Sequence, residues 1–302
     1  MHRQNIDDGT RRAARFQPVR DALHEEEGRA RVDRVEAVPY ARIRVQNAAA
    51  APDVEGVRKE LAIFEETVRK DGRDAVRLLE NLQRGVQRLR EAYPKSDTLD
   101  KNIDERIGFL FRHRAEIVAV RASVGASLRP APGLAGLSVS RTETDQRLYA
   151  LVMEENPSAG KGDNRPVESL TRREATLFCT RLGWMIAREV RLPTRDEFLK
   201  IAGKPDAAAI AAIARAIDNS DGTPAPVPAA KPDANDLCDV LGNVGEWLSP
   251  SPGDAPSTAF VGGGNAENTL AQLGAVPVQS VPPTQRSRFT GFRFVVVNSP
   301  AR

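Results

Sequence analysis

Between Val54 and Ile117 apolar residues return every three or four positions, the spacing of one face of an α-helix. Val54, Val57, Leu61, Phe64 and Val68 form the first stripe, and Asp71-Gly72 interrupts it. Ala75, Leu79, Leu82, Val86 and Leu89 resume the rhythm until "YPKSD" (Tyr93 to Asp97) stops it. A third stripe carries Leu99, Ile103, Ile107, Leu110 and Ile117. Asp53, at the end of the linker-like "QNAAAAPD", is the expected N-cap of the first helix. The other faces hold Arg, Lys and Glu in near balance, the solvated exterior of a helical hairpin or coiled coil rather than a binding surface. Residues 53–123 are therefore predicted to be a helical, coiled-coil-like segment that self-associates or docks onto a larger assembly.

Residues 1–52 mix Arg, Glu and Asp with few regularly spaced apolar residues. They are expected to form a disordered or loosely attached leader, in which "RVEAVPYARIRV" could supply a short strand. "SVGASLRPAPGLAGLSVS" (Ser123 to Ser140) turns to Gly, Pro, Ser and Ala, so a linker is placed at 124–139 and a second domain at 140–302. That domain is irregular, with short helices predicted in "RREATLFCTRLGWMIA", "TRDEFLKIAG" and "DAAAIAAIARAI". The first buries Ala175, Phe178, Cys179 and Leu182; the second opens with a capping box, Thr194 and Glu197. "TPAPVPAAKPDA" is a Pro-rich loop, and "GFRFVVVN" reads as a closing strand.

Composition narrows the function classes. The chain has 302 residues, enough for one large domain or two ordinary ones. Lys plus Arg number 44 against 41 Asp plus Glu, too small an excess to imply nucleic-acid binding when no basic stretch is interleaved with aromatics. Two cysteines without a CxxC rule out a disulfide framework and a zinc ribbon, and nothing in the sequence supports a bridge between them. "MHRQNIDDGTRRAARFQ" lacks the apolar core of a signal peptide, and no apolar run reaches membrane-spanning length. A cytoplasmic location is the expectation.

"DVLGNVGEW" (Asp239 to Trp247) is neither a clean strand nor a clean helix, and two carboxylates bracket its glycines. It lies in one of four stretches that resemble the formylglycine-generating enzyme (sulfatase-modifying factor) family. The first is "LYALVMEENPSAGKGDNRPVESLT" (Leu148 to Thr171), similar to the family's Tyr-x-x-x-Met-x-x-Asn-Pro-Ser and following Pro-Val. The second, "VRLPTRDEFLKIA", is similar to Arg-Leu-Pro-Thr-x-x-Glu-Trp-Glu-x-Ala. "KPDANDLCDVLGNVGEW" resembles Lys-Pro-Asn-x-x-Gly-Leu-Tyr-Asp-Met-x-Gly-Asn-Val-Trp-Glu-Trp. "FVGGGN" and "TGFRFVV" look like the Arg-Gly-Gly-Ser-Trp strand and the terminal Gly-Phe-Arg. All four stand in the family's order between about 140 and 300.

The resemblance implies an irregular α+β domain related to C-type lectins, here preceded by the helical segment. It also implies a calcium ion held by the side chains of Asp239 and Glu246 and the carbonyls of Gly242 and Val244. Calcium takes six to eight oxygens in a flexible shell, which a glycine-bent loop between carboxylates can offer. The other reading is that Asp239 and Glu246 cap turns and accept from backbone amides. Arg191 and Glu197 are expected as a buried structural pair, and Trp247 and Arg293 as structural residues. Departures include Gly245 where the family has an aromatic, Cys238 for Tyr, and "VGGGN" without Ser-Trp.

Formylglycine generation, as the resemblance implies, is copper-dependent thiol oxidation by two cysteines between the Gly-Gly strand and Gly-Phe-Arg. Residues 262–293 contain no Cys. The sister branch of iron-dependent sulfoxide synthases uses three histidines; here His2 and His24 lie in the leader and His113 on the third helix, where a surface role is expected. No copper or iron is expected. Cys179 reads as a small core residue, and Cys238 has acidic neighbours that disfavour a reactive thiolate. The expected function is non-catalytic recognition of a protein or other macromolecular ligand, as in variable proteins of diversity-generating retroelements. The alternative is a metal-dependent oxidase or oxygenase with a non-standard site. Asn265, Asn268, Gln272, Gln279, Gln285 and Arg286, in the Pro-bearing loop before Gly291, are the candidate ligand-binding residues.

Overall fold

The computed structural model describes residues 51–70, 72–92 and 101–298. The leader up to residue 50, Asp71, the "YPKSD" stop, Leu99 and the leader histidines lie outside them. Among the described residues four helices come first: α1 (Ala51–Lys70), α2 (Ala75–Ala92), α3 (Lys101–Arg112) and α4 (Ile117–Ser127). α1 starts two residues ahead of Asp53, which sits in the first turn and is not the cap. The third predicted stripe is divided, because the chain turns between Arg112 and Ile117.

The apolar stripes face inward. Val54, Phe64, Val68, Leu79, Leu82 and Leu110 are all fully buried. α1 packs on α2 and α2 on α3, while α1, α3 and α4 also pack on α6 (Arg172–Ile186) of the second half. One apolar cluster runs from Val54 through Phe178 to Val296. The faces expected to drive self-association are thus used within the chain. Phe109 shows how: its ring centroid lies 5.6 Å from Trp184 and the Arg181 guanidinium stands 5.4 Å from it. His113 is buried, not on the surface, with Nε2 3.2 Å from Glu154 Oε1 and its ring 4.5 Å from Phe109.

The stretch expected to be a linker is part of the fold. β1 (Leu128–Pro130) follows α4 directly and pairs antiparallel with β2 (Leu137–Ser140). Gly and Pro serve the hairpin turn between them, where Leu134 N donates to Ala131 O at 3.1 Å. Next come α5 (Gln146–Met153), α6, β3 (Val190–Arg191), α7 (Arg195–Ala202) and α8 (Ala207–Ile213). Capping boxes start α6 at Thr171/Glu174 and α7 at Thr194/Glu197.

β4 (Gly245–Leu248), β5 (Ala259–Gly262), α9 (Leu270–Gly274), β6 (Val278–Val281), β7 (Thr290–Gly291) and β8 (Val295–Val297) complete the chain. Among the described residues two four-stranded sheets result, ordered β1-β2-β8-β3 and β6-β5-β4-β7. The closing strand read from "GFRFVVVN" is therefore two strands in different sheets, and Phe292-Arg293-Phe294 crosses between them. Phe292 and Phe294 pack on Phe178 of α6, with centroids at 5.1 and 6.2 Å. Among the described residues no helix is long and apolar enough to cross a membrane.

Because helices and sheets share one core, urea should unfold the chain in a single transition, with far-ultraviolet circular dichroism and Trp fluorescence superimposing. Two separate transitions, the helical signal going first, would show that the helical segment folds independently.

Candidate functional site

The loop between Asp236 and Gly245 is shaped by residues with positive φ: Asp236 at 57°, Asp239 at 58°, Gly242 at 84° and Asn243 at 50°. Asp and Asn tolerate this region because their short polar side chains bond locally. Gly242 is obligatory, since a Cβ there would stand 2.1 Å from Arg215 O. The loop is stitched on both sides: Gly242 N donates to Gly263 O at 2.9 Å and Asn243 N to Arg215 O at 3.0 Å.

This shape turns Asp239 and Glu246 inward. Asp239 Oδ2 and Oδ1 accept from the amides of Ala229 and Ala230 at 2.8 and 2.9 Å, the turn-capping role. Glu246 receives Arg293 Nε at 2.7 and 2.8 Å, one distance to each oxygen, and both side chains are fully buried. Arg293 Nη1 donates to Ser140 O at 3.2 Å and Nη2 to Cys238 O at 2.9 Å. A third buried carboxylate joins them. Glu143 accepts from Val244 N at 2.9 Å and from Asn243 Nδ2 at 2.7 Å.

Three carboxylates thus face one guanidinium in a region closed to water. Burial pushes Glu143 well above the usual carboxylate range, with Asp239 and Glu246 adding to the effect. Burial likewise raises Asp239, although two amides pull it back. Glu246 is pushed up to about 7 by burial, against the opposing pull of Arg293. The cluster ties the loop, β2, β4 and the β7–β8 crossing together. Breaking such a buried pair by removing one partner costs about 3–5 kcal/mol, because a charge is left uncompensated. Its three carboxylates are each at most 1% exposed.

The arrangement does not fit a calcium ion. Both Glu246 oxygens lie against a guanidinium, both Asp239 oxygens are bonded to amides, and Arg293 supplies the positive charge that calcium would bring. Gly242 and Val244 flank Asn243, whose side chain bonds Glu143 and accepts from Ala225 N at 2.8 Å. Gly245 cannot be the family's aromatic here, since even a Cβ would come within 2.7 Å of the Val261 side chain.

The remaining predicted residues lie elsewhere. Arg191 holds Glu197 through two bonds of 2.7 and 2.8 Å, and the pair is partly rather than fully buried. Trp247 is fully buried and donates from Nε1 to Leu170 O at 2.9 Å. Asn265, Asn268 and Gln272 brace their own loop: Asn265 Oδ1 accepts from Glu267 N, Asn268 Oδ1 from Asn265 N, and Gln272 Oε1 from Thr269 N. Arg286 clamps the loop to α6 through Glu174 at 2.7 Å and Ser169 O at 2.8 Å. Gln279 is exposed on β6, the edge strand of its sheet, and Gln285 is half-buried.

Residues 135–298, more than half of the chain, match the family described as the sulfatase-modifying factor enzyme 1-like domain. The chain belongs to this family. The four helices before β1 lie outside the matched residues. Among solved structures it is similar to Treponema denticola variable protein 1, at 21% identity over 53% of this chain and 84% of that one, with a TM-score of 0.49. It is similar also to PvdO from Pseudomonas aeruginosa, at 19% identity over 53% of this chain and 80% of that one, TM-score 0.45. CarF matches at 18% identity over 56% of this chain and 92% of that one, TM-score 0.42. No curated protein matches the chain. In this member of the sulfatase-modifying factor family, Glu246, Trp247 and Arg293 stand inside the matched segment and act as structure. Glu143 and Asn243, which complete the cluster, went unseen in the sequence. The one usable signal was an Asn between glycines, at a position needing positive φ.

Two outcomes follow from the cluster. Carboxyls raised on folding add stability below about pH 4.5 that is lost as pH climbs above that value. Glu143→Gln removes its share of that loss, so the melting temperature of the variant relative to wild type should climb over this interval; a constant offset would contradict the linkage. Calcium or a chelator should leave the melting temperature of the wild-type chain unchanged, and a rise of several degrees on adding calcium would restore the calcium assignment.

Proposed function

We propose that this chain is a non-catalytic recognition protein, using the loops of its sulfatase-modifying-factor domain to hold a ligand or protein partner. The observation that carries this reading is the placement of its thiols. Cys179 and Cys238 are both free and buried, and burial pushes both thiols up, away from the reactive thiolate. Residues 262–293 supply no other cysteine. Copper-dependent thiol oxidation needs an accessible pair of soft sulfur ligands. The acidic cluster gives no substitute chemistry, since Glu143, Asp239 and Glu246 are each at most 1% exposed.

The recognition surface on this reading is the loop from Asn265 to Arg288 with the free edge of β6. Asn265, Asn268, Gln272 and Arg286 act by holding the loop in one shape. Gln279 and Gln285 are left to meet a partner. A loop already braced loses less entropy on binding, which suits a display surface. Two free cysteines accord with the cytoplasmic placement expected from the sequence.

The decisive assay incubates the chain with copper and a Cys-containing sulfatase peptide and weighs the peptide. Its mass should not change. Loss of the thiol to an aldehyde would establish an enzyme and overturn the proposal.

A further inference from the structure

A cleft of about 400 Å³ opens where the C-terminus of α1, the middle of α4 and the residues just after α6 come together. Arg69, Arg121 and Arg188 line it, with Leu128 and Ile186 as its apolar wall and Asn298 at one side. Two of the arginines belong to the helical segment and lie outside the family match, so the cleft exists only in the docked arrangement.

The arginines are unevenly used. Arg121 Nη2 donates to the last carbonyls of α1, those of Arg69 and Lys70, at 2.8 and 2.7 Å. That fixes the guanidinium, and among the described residues its Nε and Nη1 meet no carboxylate. Arg69 Nη2 lies 3.2 Å from Glu66 Oε2, but Glu66 is shared with Lys70 at 3.3 Å. Arg69 Nε is buried with no hydrogen-bond partner. Among the described residues, no carboxylate or carbonyl receives the side chain of Arg188, and no Asp or Glu lines the cleft. The C-termini of α1 and α6 contribute only about half a negative charge each. Three guanidiniums therefore exceed what Glu66 and the helix ends neutralise. A partly desolvated surplus of cations is costly unless an anion meets it.

We infer that this cleft binds a small organic oxyanion, a carboxylate or phosphate carried on an apolar body about one ring in size. The guanidiniums of Arg121 and Arg188 hold the anionic oxygens in charge-assisted hydrogen bonds. The Asn298 amide, whose Oδ1 already accepts from Ser138 Oγ at 2.9 Å, keeps its Nδ2 donors for the same group. Leu128 and Ile186 cover the ring. The volume falls at the small end of ligand sites, which excludes a large occupant. A ligand here touches both the helical segment and the domain, so it stabilises their docking by mass action.

Calorimetric titration of the full chain tests this with benzoate, phenyl phosphate, inorganic phosphate and benzyl alcohol. Benzoate and phenyl phosphate should bind one to one, the tighter of the two identifying the head group; inorganic phosphate should bind more weakly and benzyl alcohol not at all. Arg188→Gln removes no side-chain hydrogen bond or ion pair among the described residues, so its melting temperature should stay near the wild-type value while affinity for both aromatic anions falls about tenfold or more. No saturable binding of either aromatic anion up to about 1 mM overturns the proposal. So does binding that survives Arg188→Gln, which places the anion elsewhere. Inorganic phosphate binding as tightly as phenyl phosphate overturns the apolar half of it.

Discussion

The guanidinium of Arg293 reaches three residues that the chain brings from far apart, and most of the second half is arranged around that reach. It pairs with Glu246 of β4 and donates to carbonyls of Ser140 at the end of β2 and Cys238 in the loop. It stands between β7 and β8, where the chain leaves one sheet for the other. Side chains alternate along extended backbone, so Phe292 and Phe294 point one way and Arg293 the other. The two rings fill the aromatic cluster on α6 while the cation fills the acidic pocket. A one-residue slip would bury a phenyl ring among carboxylates and a guanidinium among phenyl rings. Register in both sheets is set by that incompatibility.

Desolvating ions costs several kcal/mol each, so the cluster is tolerable only because nearly every oxygen has a partner. Asp239 has two amides, Glu143 an amide and the Asn243 side chain, Glu246 the guanidinium. The three carboxylates still outnumber the one guanidinium bonded among them, and burial raises Glu143, Asp239 and Glu246 above their ordinary values. Groups with this chemistry in an open cleft would suggest general acid–base work. Sealed as they are, they serve folding.

What could be read from the sequence was mostly local. The stripes from Val54 to Leu89, the Thr194/Glu197 capping box and the inner face of α6 follow from spacing, and the structure has them. Whether a stripe faces another chain or its own is not a local property, and here the stripes pack within the chain. Hairpin turns and linkers draw on the same Gly and Pro, which hid β1 and β2. "GFRFVVVN" has the composition of one strand, and only the paired sheets reveal the crossing at Phe292-Arg293-Phe294. Glu143 sits about a hundred residues from Asn243, with nothing in "RTETD" to mark it. His113 looked exposed because Glu154, its partner, lies on a different element well downstream in sequence.

α6 explains why the helical segment and the domain share one core. Ala175, Phe178, Cys179, Leu182, Met185 and Ile186 are all buried, and Arg181 is nearly so, which is more than one stripe of a helix can hold. Phe178 looks toward Tyr149 and Phe292, inside the matched domain. Trp184 and Arg181 look toward Phe109 on α3. A helix apolar on both sides must be covered on both sides, or it leaves a patch of the kind soluble monomers avoid. In this chain the four helices are that cover. Their charged outer faces then meet water in place of α6, and the junction they form with the domain is where the arginine-lined cleft appears.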